Sequence, residues 1–227
     1  QKRRQSFDKR FILSLKSLMI LLVWESQERS TTALNVAKTL IRELGFFLTS
    51  ACSVLDRGVI FHMIHRLIQQ ITPKEDLTLI DFKFEFLRIV TQYKYFIALN
   101  IPTPLEIRSP EALAPSGAFS QRYFLTGTFL VQISKYTCHK EKSVRLKSLL
   151  AVDQLLRQHY FDVRYQDEAV RKRICSLYFP FVLMVIDRLQ LYEQSQHPEK
   201  RYLLTTFMFL LETASHDILT QWWRVES

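Results

Sequence analysis

Glycine is scarce in this chain, with 4 residues in 227, beside 7 prolines. Tight hairpins and phosphate-cradling loops both need glycine at fixed places, so the composition argues against a sheet-rich fold. Neither GxxxxGK[ST] nor GxGxxG occurs, and nucleotide-binding folds of those kinds are set aside. Cysteine is equally thin. Cys52, Cys138 and Cys175 lie far apart with no CxxC pair, which suits neither a disulfide framework nor a structural zinc site. Each falls within an apolar helical pattern, where a thiol acts as a small hydrophobe, so all three are expected to be buried. GxSxG and HExxH are missing as well, and no carboxylate pair sits in an otherwise apolar pattern. Neither intrinsic catalysis nor a cofactor or metal is therefore expected.

Long hydrophobic runs are also lacking. The longest charge-free stretch of the second half, Ile174 to Ile186, contains Pro180 and is too short to span a bilayer. The N-terminus, QKRRQSFDKR, has no initiating Met and no signal-peptide cleavage pattern. The expectation is an internal piece of a longer, cytoplasmic protein. Charge is lopsided, at a net +9. Lys2, Arg3, Arg4, Lys9 and Arg10 crowd the first ten residues against Asp8 alone, and Arg171, Lys172 and Arg173 form a second group. Neither group is interleaved with aromatics as a base-stacking platform is, so nucleic acid is not the expected partner. A basic flexible start (1–10) and solvated helix faces account for both. The alternative for Lys2, Arg3, Arg4, Lys9 and Arg10 is a weak contact with acidic lipid headgroups, which would recruit the protein to a membrane.

What the chain does have is apolar character at helical spacing. It is 48% hydrophobic. Phe7, Phe11, Ile12, Leu15, Leu18, Met19, Leu22 and Val23 recur at steps of three and four, and residues 30–50 repeat the pattern. Further helices are predicted over about 55–71, 75–95, 119–138, 142–159, 167–191, 200–213 and 215–225. Asp167 and Glu168 suit the positive end of the seventh, and Pro180 should kink its middle. A proline-rich loop (99–118) and a polar linker (192–199) interrupt the series. DFKFEFLRIV and LLTTFMFLL carry apolar side chains over more than one face, so those helices are expected to be sandwiched between neighbours. The predicted class is all-α, an armadillo- or HEAT-like helical solenoid of about nine helices over residues 1–227. A compact irregular bundle stays open, because no strict sequence period is visible.

The stretch SVLDRGVIFHMIHRL (53–67) holds a charged pair, a glycine and two histidines. On a helix, Ile60, Met63, Ile64, Leu67, Ile68 and Ile71 share one side, while His62, His65 and Gln69 point the other way with Arg66 beside them. Two histidines with no third ligand and a neighbouring cation make a poor metal site, so they are read as solvent-facing. Ser53 is expected to cap the helix, with Asp56 in its first turn. Gly58 is expected to let another backbone approach. The stretch reads as a joint in a scaffold.

Five blocks, in order, resemble the middle region of the DOCK (dedicator of cytokinesis) proteins. They are FFLTSACSVLDRGVIFHMI (46–64), DFKFEFLRIVTQYKYFIALNIP (81–102), RYFLTGTFL (122–130), HYFDVRYQDEAVRKRICSLYFPFVLMVID (159–187) and ILTQWWRVES (218–227). The likeness is closer to the branch containing the zizimins than to the ELMO-binding branch, and covers about residues 40–227. It implies a helical, armadillo-like segment between a lipid-binding C2-like domain and an exchange domain that discharges GDP from Rho-family GTPases such as Rac and Cdc42. That exchange domain is not matched here, so no catalytic residue carries over. The implied partners are the parent's other domains, a Rho-family GTPase reached through the exchange domain, and a regulatory protein. The matching positions are structural: Asp56-Arg57-Gly58, Asn100 and Pro102 of a Leu-Asn-x-Pro exit, Asp162 with Arg164-Tyr165, and Tyr178 with Pro180 of a Leu-Tyr-x-Pro helix. EQSQHPEK, after Tyr192, stands where family members often carry a long polar insertion. An unrelated solenoid adaptor that docks peptides or partner helices is the rival reading.

Overall fold

The computed structural model describes residues 7–71, 76–100, 123–186 and 197–220. These residues are all-α, with no strand among them. The chain divides into two compact units, Gln1–Lys94 and Tyr95–Ser227.

The first unit holds α1 (Lys9–Glu28), α2 (Leu34–Ala51), α3 (Arg57–Ile71) and α4 (Leu77–Thr91). On α1 the periodic residues Ile12, Leu15, Met19 and Val23 are buried, and the helix packs on α2 and α3. Gln27, near the end of α1, donates from Nε2 to the Ile71 carbonyl at 3.2 Å, so it satisfies an acceptor that the end of α3 would otherwise leave open. α2 starts four residues later than its periodicity suggests, because the chain turns at 29–33 before Leu34. α4 is buried over most of its circumference: Phe82, Phe84 and Phe86, at steps of two, cannot all lie on one helix face, and all three are buried. It packs on both α2 and α3, as its two-sided apolar pattern requires. Its N-cap is Asp76, whose Oδ1 accepts from Thr78 N at 2.8 Å and Leu79 N at 3.1 Å.

The α2–α4 contact depends on a glycine, though not on Gly58. A Cβ on Gly45 would come within 3.0 Å of Ile89 Cγ2, whereas one on Gly58 would meet only the tip of Asp56. The close approach expected at Gly58 therefore occurs at Gly45. Over the same contact Glu85 accepts from Arg88 Nε at 3.0 Å and Nη2 at 2.7 Å, with Arg42 of α2 at 3.5 Å. These cations, the Arg88 hydrogen bond foremost, hold the Glu85 carboxyl below its ordinary pKa.

Capping of α3 also differs from expectation. Ser53 donates from Oγ to the Ser50 carbonyl at 2.7 Å, which commits it to the turn closing α2. Asp56 is the residue that caps α3, accepting from Val59 N at 3.2 Å.

The second unit contains α5 (Phe96–Asn100), α6 (Phe124–Thr137), α7 (Lys142–Phe161), a 3-10 turn (Val163–Tyr165), α8 (Glu168–Tyr178), α9 (Pro180–Ile186) and α10 (His197–Thr213). Residues 216–220 add a further helical turn. α6 is its central element, buried all round in its first turns and packed against α5, α7, α8 and α9. Pro180 does more than kink a helix. The chain breaks at Phe179, and Pro180 opens a new helix as its first residue, where a missing N–H leaves no bond unmade. The 192–199 linker is shorter than expected, since 197–199 already belong to α10, while 187–196 lie outside the described residues. Glu199 there is buried and accepts from Arg145 Nε at 2.7 Å. Arg145 Nη1 also donates to the His139 and Lys140 carbonyls at 2.8 and 2.9 Å. One guanidinium thus ties the α6–α7 turn to the start of α10. Cys52 and Cys175 are buried, but Cys138 is exposed, because it stands at the C-cap of α6 where the apolar stripe has ended. Asp167 caps α8 by accepting from Val170 N at 3.1 Å.

Gly45→Val is expected to lower unfolding free energy by about 1–3 kcal/mol through overpacking against Ile89. Gly58→Ala meets only the side-chain tip of Asp56, so it should cost less than Gly45→Val or raise stability by up to about 1 kcal/mol through helix propensity. Chemical denaturation of the two variants measures both; equal costs would place the close approach elsewhere.

Candidate functional site

Two family-like positions of the second unit, Tyr165 and Tyr178, meet at one residue that the sequence reading did not single out. His159 lies in the last turn of α7, on the same apolar stripe as Val152, Leu155 and Leu156. That three- and four-residue spacing was the available signal. The imidazole is buried, and its Nε2 is 3.0 Å from the Tyr178 hydroxyl of α8. Tyr178 stacks on it at 5.8 Å, Phe96 of α5 at 6.5 Å, and Tyr165 meets it edge-on at 6.2 Å.

Asp162 supplies the turn that brings Tyr165 in. Its Oδ1 accepts from the Arg164 backbone N at 2.9 Å, and its two carboxylate oxygens also take the Arg164 guanidinium at 2.6–3.1 Å. This bidentate pairing, chiefly through the Arg164 hydrogen bonds, lowers the Asp162 pKa. Asn100, at the end of α5, is buried; it donates from Nδ2 to the Phe96 carbonyl at 2.7 Å and accepts at Oδ1 from Thr126 N of α6 at 3.4 Å. It acts as a helix-end bracket, and Pro102 lies outside the described residues. Asp56, Arg57 and Gly58 are at the start of α3 in the other unit. Of the basic start, Lys9 and Arg10 are exposed in the first turn of α1, and Lys2, Arg3 and Arg4 lie outside the described residues.

Burial decides what this cluster can do chemically. It lowers the His159 imidazole to about 4, raises the Tyr178 phenol well above its ordinary value, and pushes the Cys175 thiol up to about 12. Cys175 Sγ is moreover engaged with the Leu210 carbonyl at 3.0 Å. All three groups are displaced away from neutral pH, the opposite of the tuning that general acid–base chemistry uses. Their work is to join α7, α8 and α10.

Beside the cluster, α7, α8 and α10 enclose a groove of about 390 Å³. Tyr160 meets Phe209 edge-on at 5.4 Å and carries the Arg171 guanidinium over its face at 4.6 Å. Arg171, read from sequence as part of a solvated face, is instead half-buried and donates to the Tyr165 carbonyl at 3.2 Å. Phe161 is 72% exposed at the groove, and the buried Thr206 hydroxyl in its wall has no hydrogen-bond partner among the described residues. Asp153, Arg157, Glu168, Lys172 and Glu212 complete a lining that is charged as well as aromatic.

With this geometry in view, comparison with known proteins is informative. Residues 1–91 match the family model described as "DOCK6-11, TPR domain". The resemblance to the DOCK family holds. It also reaches the first 40 residues, where the sequence reading found little to match. The chain is 27% identical over 195 residues to human dedicator of cytokinesis protein 9, covering 83% of this chain and 9% of that protein. It is 24% identical over 234 residues to human dedicator of cytokinesis protein 7, covering 88% and 11%. To the guanine nucleotide exchange factor SPIKE 1 of Arabidopsis thaliana it is 23% identical over 203 residues, covering 89% and 10%. The chain thus spans about a tenth of the length of these relatives. No solved structure matches it. Among the described residues of this DOCK-like chain, no helix is long and apolar enough to cross a membrane, and no group of His, Cys, Asp and Glu could hold a metal ion.

The His159 environment predicts a pH dependence. Between the ordinary imidazole value of 6.5 and about 4, the unfolded chain takes up a proton that the folded chain refuses. Stability therefore falls as pH falls through that window, by about 3 kcal/mol in all. Tyr178→Phe leaves Nε2 buried without a partner and should cost about 1–3 kcal/mol at neutral pH. Denaturant midpoints of both proteins across the window test this; a His159→Gln variant with an unchanged acid profile would assign the effect to other groups.

Proposed function

We propose that this chain is a non-catalytic helical scaffold segment of a DOCK-type guanine-nucleotide exchange factor acting on Rho-family GTPases such as Rac or Cdc42. It spaces a lipid-binding domain and an exchange domain of the parent and gives regulatory proteins a surface. The observation that carries this reading is the family match over 1–91 together with the relatives over more than four-fifths of the chain. The mechanism is stiffness. Helices such as α4 and α6, buried on several sides, leave little freedom within a unit, so segments joined to it keep a restricted range of positions. The parent is cytoplasmic in this reading, and recruitment to an acidic membrane through Lys2, Arg3, Arg4, Lys9 and Arg10 is a secondary proposal.

A second reading, an adaptor that docks peptides or partner helices, is favoured by one observation: the aromatic groove with the unpartnered Thr206 hydroxyl in its wall. The two are separable. In a fluorescent GDP-release assay the chain alone should leave the rates of Rac and Cdc42 at their intrinsic values. Clear acceleration would overturn the non-catalytic assignment. A pull-down should retain proteins of Rho signalling, and Phe161→Ser should weaken that retention if the groove is the contact. An unrelated cargo set, lost in the same variant, would favour the adaptor.

A further inference from the structure

Where α1 lies against α3, the surface closes into a second cavity of about 370 Å³ whose lining comes from these two helices alone. Lys16 of α1 faces His62, His65 and Arg66 of α3 over a floor that includes Met19 and Met63. No carboxylate lines it among the described residues. Elsewhere among the described residues Arg29, Arg42, Arg88, Arg145, Arg157 and Arg164 each lie against a carboxylate. The surrounding unit adds to the bias, carrying 15 Lys and Arg against 9 Asp and Glu over Gln1–Lys94.

The helical register explains how the four groups meet. His62, His65 and Arg66 stand at i, i+3 and i+4, which places them on one face of α3, and α1 brings Lys16 to the same side. Gln69 donates from its amide Nε2 to His65 Nε2 at 2.9 Å, which fixes that ring opposite Lys16 and leaves its proton on Nδ1. We propose that this groove is a phosphate-binding site, taking either a soluble phosphate group or the phosphate of a lipid headgroup. Arg66 supplies a planar fork for two phosphate oxygens, Lys16 a compact charge, and the imidazoles hydrogen bonds that strengthen on protonation. Burial, and then the neighbouring His62, lower the His65 pKa. A bound dianion reverses that, so occupancy and protonation promote one another. Of the charged and titratable groups that line the groove, Lys16 comes from α1 and His62, His65 and Arg66 from α3.

Two probes separate the sources. Imidazole resonances of the whole chain are followed while inorganic phosphate is added, and retention is measured on phosphatidylcholine vesicles with and without a fifth of the lipid as phosphatidic acid. Shifts of His62 and His65 with phosphate assign a soluble source, and retention that requires phosphatidic acid assigns a headgroup; either supports the site. Arg66→Glu should weaken binding about tenfold or more, with Arg66→Gln as a milder second variant should the reversal disturb folding. His62→Gln with His65→Gln should weaken binding less than Arg66→Glu does, because Arg66 and Lys16 carry the charge. These variants keep Lys2, Arg3, Arg4, Lys9 and Arg10 intact. Vesicle retention unchanged in both Arg66 variants, together with imidazoles unmoved by phosphate, would overturn the proposal while leaving the scaffold reading untouched.

Discussion

The constraint on which both units depend is that a helix apolar on several sides must be covered on several sides. α4 and α6 are such helices. Phe82, Phe84 and Phe86 project to opposite sides of α4; on α6 Leu125, Phe129, Ile133 and Tyr136 form one stripe, and Leu130, Gly127 and Thr128 are buried on its other sides. Neither could be stable in water alone or against a single neighbour, since each exposed aromatic face would forgo about 25 cal/mol for every Å² left wet. The remaining helices, amphipathic in the ordinary way, pack around these two. Gly45 follows from the same demand: α2 can cover α4 closely only where it has no side chain opposite Ile89.

That constraint is written in the sequence, which is why the all-α class and the places of most helices were legible. DFKFEFLRIV cannot be read as a single stripe, and burial on more than one side is the direct consequence. The departures arise where two residues offered the same chemistry and geometry chose between them. Ser53 and Asp56 are both good caps, but α3 begins at Arg57, directly after Asp56, and it is the carboxylate that accepts from Val59 N. Gly45 and Gly58 are both helical glycines; only the distance to a neighbouring helix, which no local pattern encodes, distinguishes them. Pro180 was recognised as a disruption, yet whether a proline bends a helix or begins another depends on the Phe179 turn before it. Cys138 sits one residue past an apolar stripe, and that one residue carries it into solvent.

The candidate site divides along the same line. Asp162, Arg164, Tyr165 and Tyr178 could be marked from the family resemblance, but the reason they belong together is His159, which packs against Tyr165 and Tyr178 from another helix. Short-range logic explains the Asp162–Arg164 turn. It has no access to a hydrogen bond spanning 19 residues, nor to the Arg145–Glu199 pair spanning 54. Such pairs are fixed by the packing of α7 against α8 and α10, and packing is decided by side chains that look alike in sequence.

Electrostatics shows how the two levels combine. A net charge of +9 suggests a diffuse basic surface, but the structure spends much of that charge locally. Arg42 and Arg88 share Glu85, Arg145 takes Glu199, Arg164 takes Asp162, and Arg171 lies on Tyr160. Those cations serve to orient helices and turns, and their fields are largely cancelled by their partners. What is left is concentrated in the first unit, where Lys16 and Arg66 face each other across a cavity with two histidines and, among the described residues, no acid. Over the roughly 8 Å that salt allows a charge to act in physiological solution, that arrangement matters more than the net charge of the chain. A chain can be strongly basic overall and still differ from place to place in what it offers an anion, because carboxylates pair with some of its arginines and not with others.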